Sequence, residues 1–198
     1  MNKVRFGICA FNVVDSFRTS LKALRSCADS ITVVYGRFQG FDHPWVEPPA
    51  WLSELSTDFI ISDHKRTQHE QRNLCLHNVE DGDLLFIMDS DWIPVITSET
   101  FPTLINMKDW DSGLVNIYEP RHTIGIIAVY KFRKGWTHSP GQLLMDEDGN
   151  TITSGNYQVV KIPTSTFSYL HDSRKVYDEK YNDAYNLYWK NLNTPSMQ

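Results

Sequence analysis

Two carboxylates, Asp89 and Asp91, stand at the end of the apolar run Leu84-Leu-Phe-Ile-Met88, and their types and spacing suggest chemistry. Read as a strand, the run is apolar at every position, which suits burial on both faces of a parallel sheet. Side chains alternate along a strand, so Asp89 and Asp91 are expected on one side and Ser90 on the other. Two like charges that close repel unless a cation lies between them and an anion. Oxygen ligands favour a hard divalent ion, magnesium or manganese, which keeps positions open for substrate phosphates. The functional reading is a metal-assisted diphosphate site. The plain alternative is a strand-to-loop turn in which Asp serves as a turn former.

The elements that must hold these residues follow from the pattern on either side. Val4 to Phe11 reads as a strand stopped by Asn12, and Asp15 is placed to cap a helix running to about Cys27. Ser30 to Tyr35 is a β-branched strand that breaks at Gly36-Arg37, and a long loop follows from Phe38 to Pro49 around Trp45. A short helix at 50–55 and a strand at Asp58 to Ser62 come next. Thr67-Gln-His-Glu70 has the form of a capping box, which fixes a helix start and puts Gln68 and Arg72 on one face. This helix is expected to continue through Leu76 and Val79 to Asp81-Gly82. Alternating strands and helices predict an α/β fold: a Rossmann-like three-layer sandwich with a mostly parallel sheet. Ligands bind such sheets beyond the carboxyl ends of the strands, where Asn12, Tyr35, Arg37, Asp63, Asp89 and Asp91 fall.

After Pro94 the texture changes. A helix at about 98–107, strands at 113–118, 123–132, 142–145 and 157–162, and a turn at Glu147-Asp-Gly-Asn150 predict a mixed or antiparallel half. The chain then runs through Ser168-Tyr-Leu-His171 into a helix to about Asn191, with Tyr177, Tyr181, Tyr185 and Tyr188 as a packing stripe.

Composition narrows the function classes. At 198 residues, 41% apolar and 13% aromatic, a core can form without disulfides, and one domain is expected: 1–94 the nucleotide side, 95–198 the acceptor side. The charge of -5 is interspersed, so no polybasic surface for a phosphate backbone is advertised. Cys9, Cys27 and Cys75 occur singly and read as reduced thiols. No stretch has the length of a membrane span, and the N-terminal apolar segment is too short for a signal peptide, so a soluble cytoplasmic protein is expected. His64 and His69 lack the further ligands of a zinc site, and His138 reads as a loop residue.

Taken together, Thr67-Gln-His-Glu-Gln-Arg72-Asn73 followed by Gly82-Asp-Leu-Leu-Phe-Ile-Met-Asp89-Ser-Asp91 resembles the heart of the GT-A glycosyltransferases, especially small family 2-like members, viral and bacterial ones included. Val33-Val-Tyr-Gly-Arg37 and Lys131-Phe-Arg-Lys134 resemble further segments of that family. The resemblance implies a GT-A fold and a metal-dependent, inverting transfer from a nucleoside-diphosphate sugar to a hydroxyl acceptor: a glycan, a surface polymer or a modified nucleic-acid base. It implies that Asp91 ligates manganese or magnesium, that Asp89 supports the metal or contacts the ribose, and that His171 is a third ligand. Arg72 and Gln68 would lie near the nucleotide, with Asn12 and Arg37; Arg174 and Lys175 would add charge at the diphosphate. Where the family places an acid after the second strand, this chain has Tyr35, whose ring offers a stacking surface for a base. The general base falls by position on Asp146 or Glu147, which are equally turn residues. Two alternatives stand beside this reading. A nucleotidyltransferase would show a Gly-rich basic loop where this chain has Ala10-Phe-Asn-Val-Val14; an inactive nucleotide- or glycan-binding module would keep the fold without turnover.

Overall fold

The apolar runs near the amino terminus become the middle of a sheet, because only a strand covered on both faces can bury every side chain it carries. A computed structural model describes residues 2–39, 44–118, 123–140, 143–153 and 156–171, with backbone alone described at positions 38 and 63–65. In chain order the elements are β1 (Val4–Ala10), α1 (Asp15–Arg25), β2 (Ser30–Phe38), α2 (Trp51–Leu55), β3 (Asp58–Arg66), α3 (Gln68–Leu74), β4 (Leu84–Asp89) and β5 (Trp92–Val95). They continue with α4 (Thr100–Asn106), β6 (Ser112–Tyr118), β7 (Thr123–Lys131), β8 (Thr137–His138), β9 (Leu144–Met145), β10 (Val159–Lys161) and β11 (Ser168–His171). No helix among the described residues is long and apolar enough to cross a membrane.

Among the described residues a nine-stranded mixed sheet has the order β3-β2-β1-β4-β7-β6-β11-β5, with β10 beside β6. The first four strands in that order are parallel. β7 is antiparallel to both β4 and β6, β10 and β11 run parallel to β6, and β5 closes the far edge antiparallel to β11. The α/β class and the mixed carboxyl-terminal half agree with expectation.

Alternation along the central strands divides the core in two. Phe6, Ile8, Val33, Tyr35, Phe86 and Met88 join α1, α2 and α4 through Phe17, Leu21, Leu24, Leu52, Phe101 and Leu104. Phe6 stacks on Phe86 with ring centroids 4.6 Å apart, and Phe101 meets both edge-on. On the other face Cys9, Val34, Leu85 and Ile87 join Cys75, Tyr130, Trp136, Leu144 and Ile152. Among the described residues that second layer is α3, seven residues long, together with the β8–β9 hairpin, less helix than a regular alternation of strands and helices predicts.

Several boundaries differ from the sequence reading. Asp15 is the first residue of α1, not its cap; Val14 is the N-cap and makes no side-chain bond. β2 does not break at Gly36 but runs on to Phe38. β3 likewise extends through the charged residues to Arg66, and the pairing shifts from Gly36↔Ser62 to Phe38↔Arg66 across a bulge. A Cβ at Gly36 would lie 2.5 Å from the Ser62 carbonyl oxygen, so this glycine is required by close backbone approach beside the bulge. α3 ends at Leu74, and the chain turns before Val79 instead of carrying helix to it.

Candidate functional site

The start of α3 is set by its capping box: the Thr67 hydroxyl accepts from the Glu70 N–H, and the Thr67 N–H donates to Glu70 Oε2 at 2.7 Å. Those bonds satisfy N–H groups that a helix start otherwise leaves open, and they fix the rotation of the helix over the sheet. Gln68 and Arg72, one turn apart, both reach the end of β4. Gln68 Nε2 donates to Asp89 Oδ2 at 3.2 Å, and Arg72 Nη2 lies 3.4 Å from each Asp89 carboxylate oxygen. The pairing of Gln68 and Arg72 on one helix face is as the spacing predicts, and its target is Asp89.

Arg72 is a buried cation. Burial favours its neutral form and is the largest single influence, but the Asp89 charge and hydrogen bond together with Cys9 and Tyr130 outweigh it and its pKa is raised, so the guanidinium stays charged. Its Nε has no hydrogen-bond partner among the described residues, which leaves Asp89 as the group that compensates its desolvation.

Strand alternation does not carry from Asp89 to Asp91. β4 ends at Asp89, Ser90 and Asp91 form a turn, and the Ser90 N–H donates to the Cys9 carbonyl at 3.1 Å. Asp89 is therefore turned to α3, whereas buried Asp91 faces β11, where His171 Nε2 lies 3.6 Å from Asp91 Oδ2. β11 delivers His171 there by pairing His171 with Trp92 across the β5 ladder. At 3.6 Å the contact is too long for a hydrogen bond. Two ligands on one cation, with bonds of about 2.1 Å, stand roughly 3–3.6 Å apart, so the Asp91–His171 spacing fits a shared ion. Among the described residues no group of three or more His, Cys, Asp or Glu converges at ligand spacing.

The neighbouring strand ends carry the other candidates. Asn12 is exposed, with a positive φ of 48°, where β1 turns into α1. Tyr35 is fully buried: its hydroxyl donates to the Val46 carbonyl at 2.9 Å and accepts from the Asn12 N–H at 3.4 Å. Its ring is packed against Phe11 and edge-on to Trp45, so it is a core residue that ties down the 44–49 segment and offers no face to a base. The aromatic with exposed surface here is Trp45, half-buried, with the Arg37 guanidinium 5.9 Å over its ring and its indole N–H on Glu47. Arg37 also accepts through its carbonyl from Gln71 Nε2, which fastens α3 to the tip of β2.

Asp146 and Glu147 are not drawn into this cluster by any of their contacts. Asp146 Oδ1 accepts from the N–H groups of Asp148 and Asn150, and Oδ2 accepts from the Tyr157 hydroxyl at 2.7 Å. The Tyr157 hydrogen bond, followed by those from Asn150, holds its pKa below the usual carboxylate value, the wrong direction for a base working near neutrality. The Glu147 side chain lies against Gly135, itself at a positive φ. These acids are thus turn residues, as Gly149 at φ 82° also indicates.

Two arrangements escaped the sequence reading. Asn73, next to Arg72, accepts from the His138 N–H at 2.6 Å and donates to the His138 carbonyl at 3.1 Å, clamping β8 onto α3. Buried His138 is thereby a strand residue, not a loop one. The signal available was an amide inside a short helix, unfavourable there unless its side chain has a partner. Cys9 and Cys75, far apart in sequence, are neighbours in the second core; the Cys75 hydrogen bond and burial together push the Cys9 thiol well up. Side chains at 63–65, and Arg174, Lys175 and the tyrosine stripe, lie outside the described residues. No protein-family model and no curated protein matches this chain.

Proposed function

We propose that the chain is a GT-A-type glycosyltransferase that moves a sugar from a nucleoside-diphosphate donor to a hydroxyl acceptor, with a divalent cation. One observation carries this reading. Asp89 and Asp91 leave the carboxyl end of a central parallel strand, Asp89 bound by Arg72 and Gln68 of α3 and Asp91 beside His171 of β11. The sheet order supports it as well, since such a strand end is where open α/β sheets take ligands.

In this reading Asp91 and His171 would hold the cation, manganese or magnesium. When bound, the cation supplies Lewis-acid neutralisation of the departing diphosphate. Asp89 is an acceptor held in place by Arg72 and Gln68, suited to a donor hydroxyl. The acceptor oxygen attacks the anomeric carbon while the bond to the diphosphate breaks, inverting that centre; the diphosphate leaves with the electron pair, and the proton of the acceptor hydroxyl is released to water. Asn12, Arg37 and Trp45 border the same strand ends and are assigned to the nucleotide side.

A panel of nucleoside diphosphates and nucleotide sugars, each with manganese or with chelator, tests the reading by thermal shift. Ligand at about 100 times its Kd stabilises the native state by about 2.7 kcal/mol. The expected result is a metal-dependent rise for one base that Asp91→Asn and His171→Ala abolish, with slow metal-dependent release of nucleoside diphosphate from the cognate sugar donor. Binding without any release would favour the inactive binding module. No rise with any nucleotide, or a rise untouched by Asp91→Asn, refutes the site.

A further inference from the structure

Among the described residues, one edge of β3 carries no strand, while its other edge is paired to β2. That edge is regular only over Asp58 to Ser62, because the bulge at 63–65 interrupts the ladder before Arg66. Such bulges end an edge and limit what can pair with it. Within the five regular residues, Ile61 is 52% exposed, the highest value of any large apolar side chain among the described residues, and Phe59 and Ile60 are half-buried. Val46, 39% exposed, follows Trp45, whose ring meets Tyr35, and Tyr35 pairs with Ile61 in the ladder; the apolar surface therefore continues off the edge.

We propose that this edge is a self-association surface whose occupant is a second copy of the chain, paired antiparallel about a two-fold axis at Ile60. The strand is complementary to itself in that register. Phe59 of each copy lies opposite Ile61 of the other, twice, on one face of the joined sheet. On the opposite face Ile60 meets its own symmetry mate. At each end Asp58 lies opposite Ser62, and Ser62 Oγ accepts from Arg66 Nε at 3.0 Å, which stations that guanidinium beside the facing carboxylate. The bulge that moves residues 63–65 out of the ladder thus brings Arg66 next to Ser62, and an acid at one end of the strand faces a base at the other. A two-fold interface makes every contact twice, so a short strand suffices where one copy of the contact would not. The proposal is independent of the proposed transferase activity.

Sedimentation over about 1–300 µM of the full chain tests it, with hydrogen exchange at 58–62 measured at both ends of that range. The expected result is a monomer–dimer equilibrium in which protection at 58–62 rises with concentration. Ile61→Lys should weaken dimerisation at least tenfold while leaving the dilute melting temperature within a degree or two. Asp58→Lys and Arg66→Asp should each weaken it, and the double variant should restore it to within a few-fold of the parent; that rescue separates a pairing effect from misfolding. The proposal is overturned by a parent that stays monomeric throughout, by a dimer indifferent to Ile61→Lys, or by a charge swap that fails to rescue.

Discussion

Arg72→Met replaces the buried guanidinium by an apolar chain of similar length and removes that counterion from Asp89. Breaking a buried ion pair from one side costs about 3–5 kcal/mol. Here the Asp89 side chain remains 24% exposed and its contacts to Arg72 are long at 3.4 Å, while Arg72 itself is only 10% exposed. Partial hydration of the Asp89 carboxylate and removal of the unpartnered Nε both lower the cost, to about 2–3 kcal/mol. For a chain of this size that is a fall in Tm of about 4–12 °C. Urea unfolding of four proteins measures it: parent, Arg72→Met, Asp89→Leu and the double variant. The double variant is expected to be more stable than the sum of the single losses by about 1–3 kcal/mol, because neither charge is then left without its counterion. A loss below about 1 kcal/mol for Arg72→Met, with additive single effects, would show that Asp89 does not sustain the buried charge and would remove the physical basis for reading the pair as a unit.

Three more outcomes follow from the same geometry. Tyr35→Phe removes the hydroxyl shared by Val46 and Asn12 and should cost about 1–2 kcal/mol, with faster proteolysis at 44–49 as the local check. Asn73→Ala unclamps β8 and should cost about 2–3 kcal/mol; hydrogen exchange should quicken at 137–145 while the β1 and β4 amides stay protected. Asp83 is partly desolvated, which raises its pKa, but the N–H groups of Lys3 and Glu80 and the Arg5 guanidinium outweigh that, so its folded pKa is depressed. Its stabilisation is therefore present above the unfolded value of about 3.9 and lost as pH falls through the lower folded value. Asp83→Asn should lower stability at neutral pH and flatten its fall below pH 4, read as urea midpoints from pH 2 to 7; an unchanged slope would contradict the assignment.

The centre of this protein was legible because its strands are buried on both faces. Continuous apolar runs such as Leu84 to Met88 leave few alternatives, and Thr67 to Glu70 encodes a helix start in four residues. Gln68 and Arg72 followed from helical spacing. What failed did so where tertiary contacts overrule local pattern. The period-two rule placed Asp89 and Asp91 together, but a turn begins after Asp89 and sends them to different partners. The charged residues after Ser62 concealed the extension of β3, because an edge strand tolerates charge. The sequence reveals Tyr35's position at a strand end but not its burial, which removes it as a binding surface. The joining of Asn73 to His138 and of Cys9 to Cys75 depends on how α3 lies across the sheet, which no single window contains.

The route of the chain after β4 also orders the assembly of the site in time. Asp89 meets Arg72 across 17 residues, and α3 and β4 can dock as soon as both have left the ribosome. Asp91 meets His171 only after β11 has been made, and among the described residues β5 gains its sheet neighbour only when β11 lies between it and β6. Closing that long loop is the slower event, since distant contacts repay their entropy late. A nascent chain therefore holds the half of the site contributed by α3 well before the half contributed by β11. The Asp91–His171 pair is then a completion mark: it forms only when the last described strand has been seated.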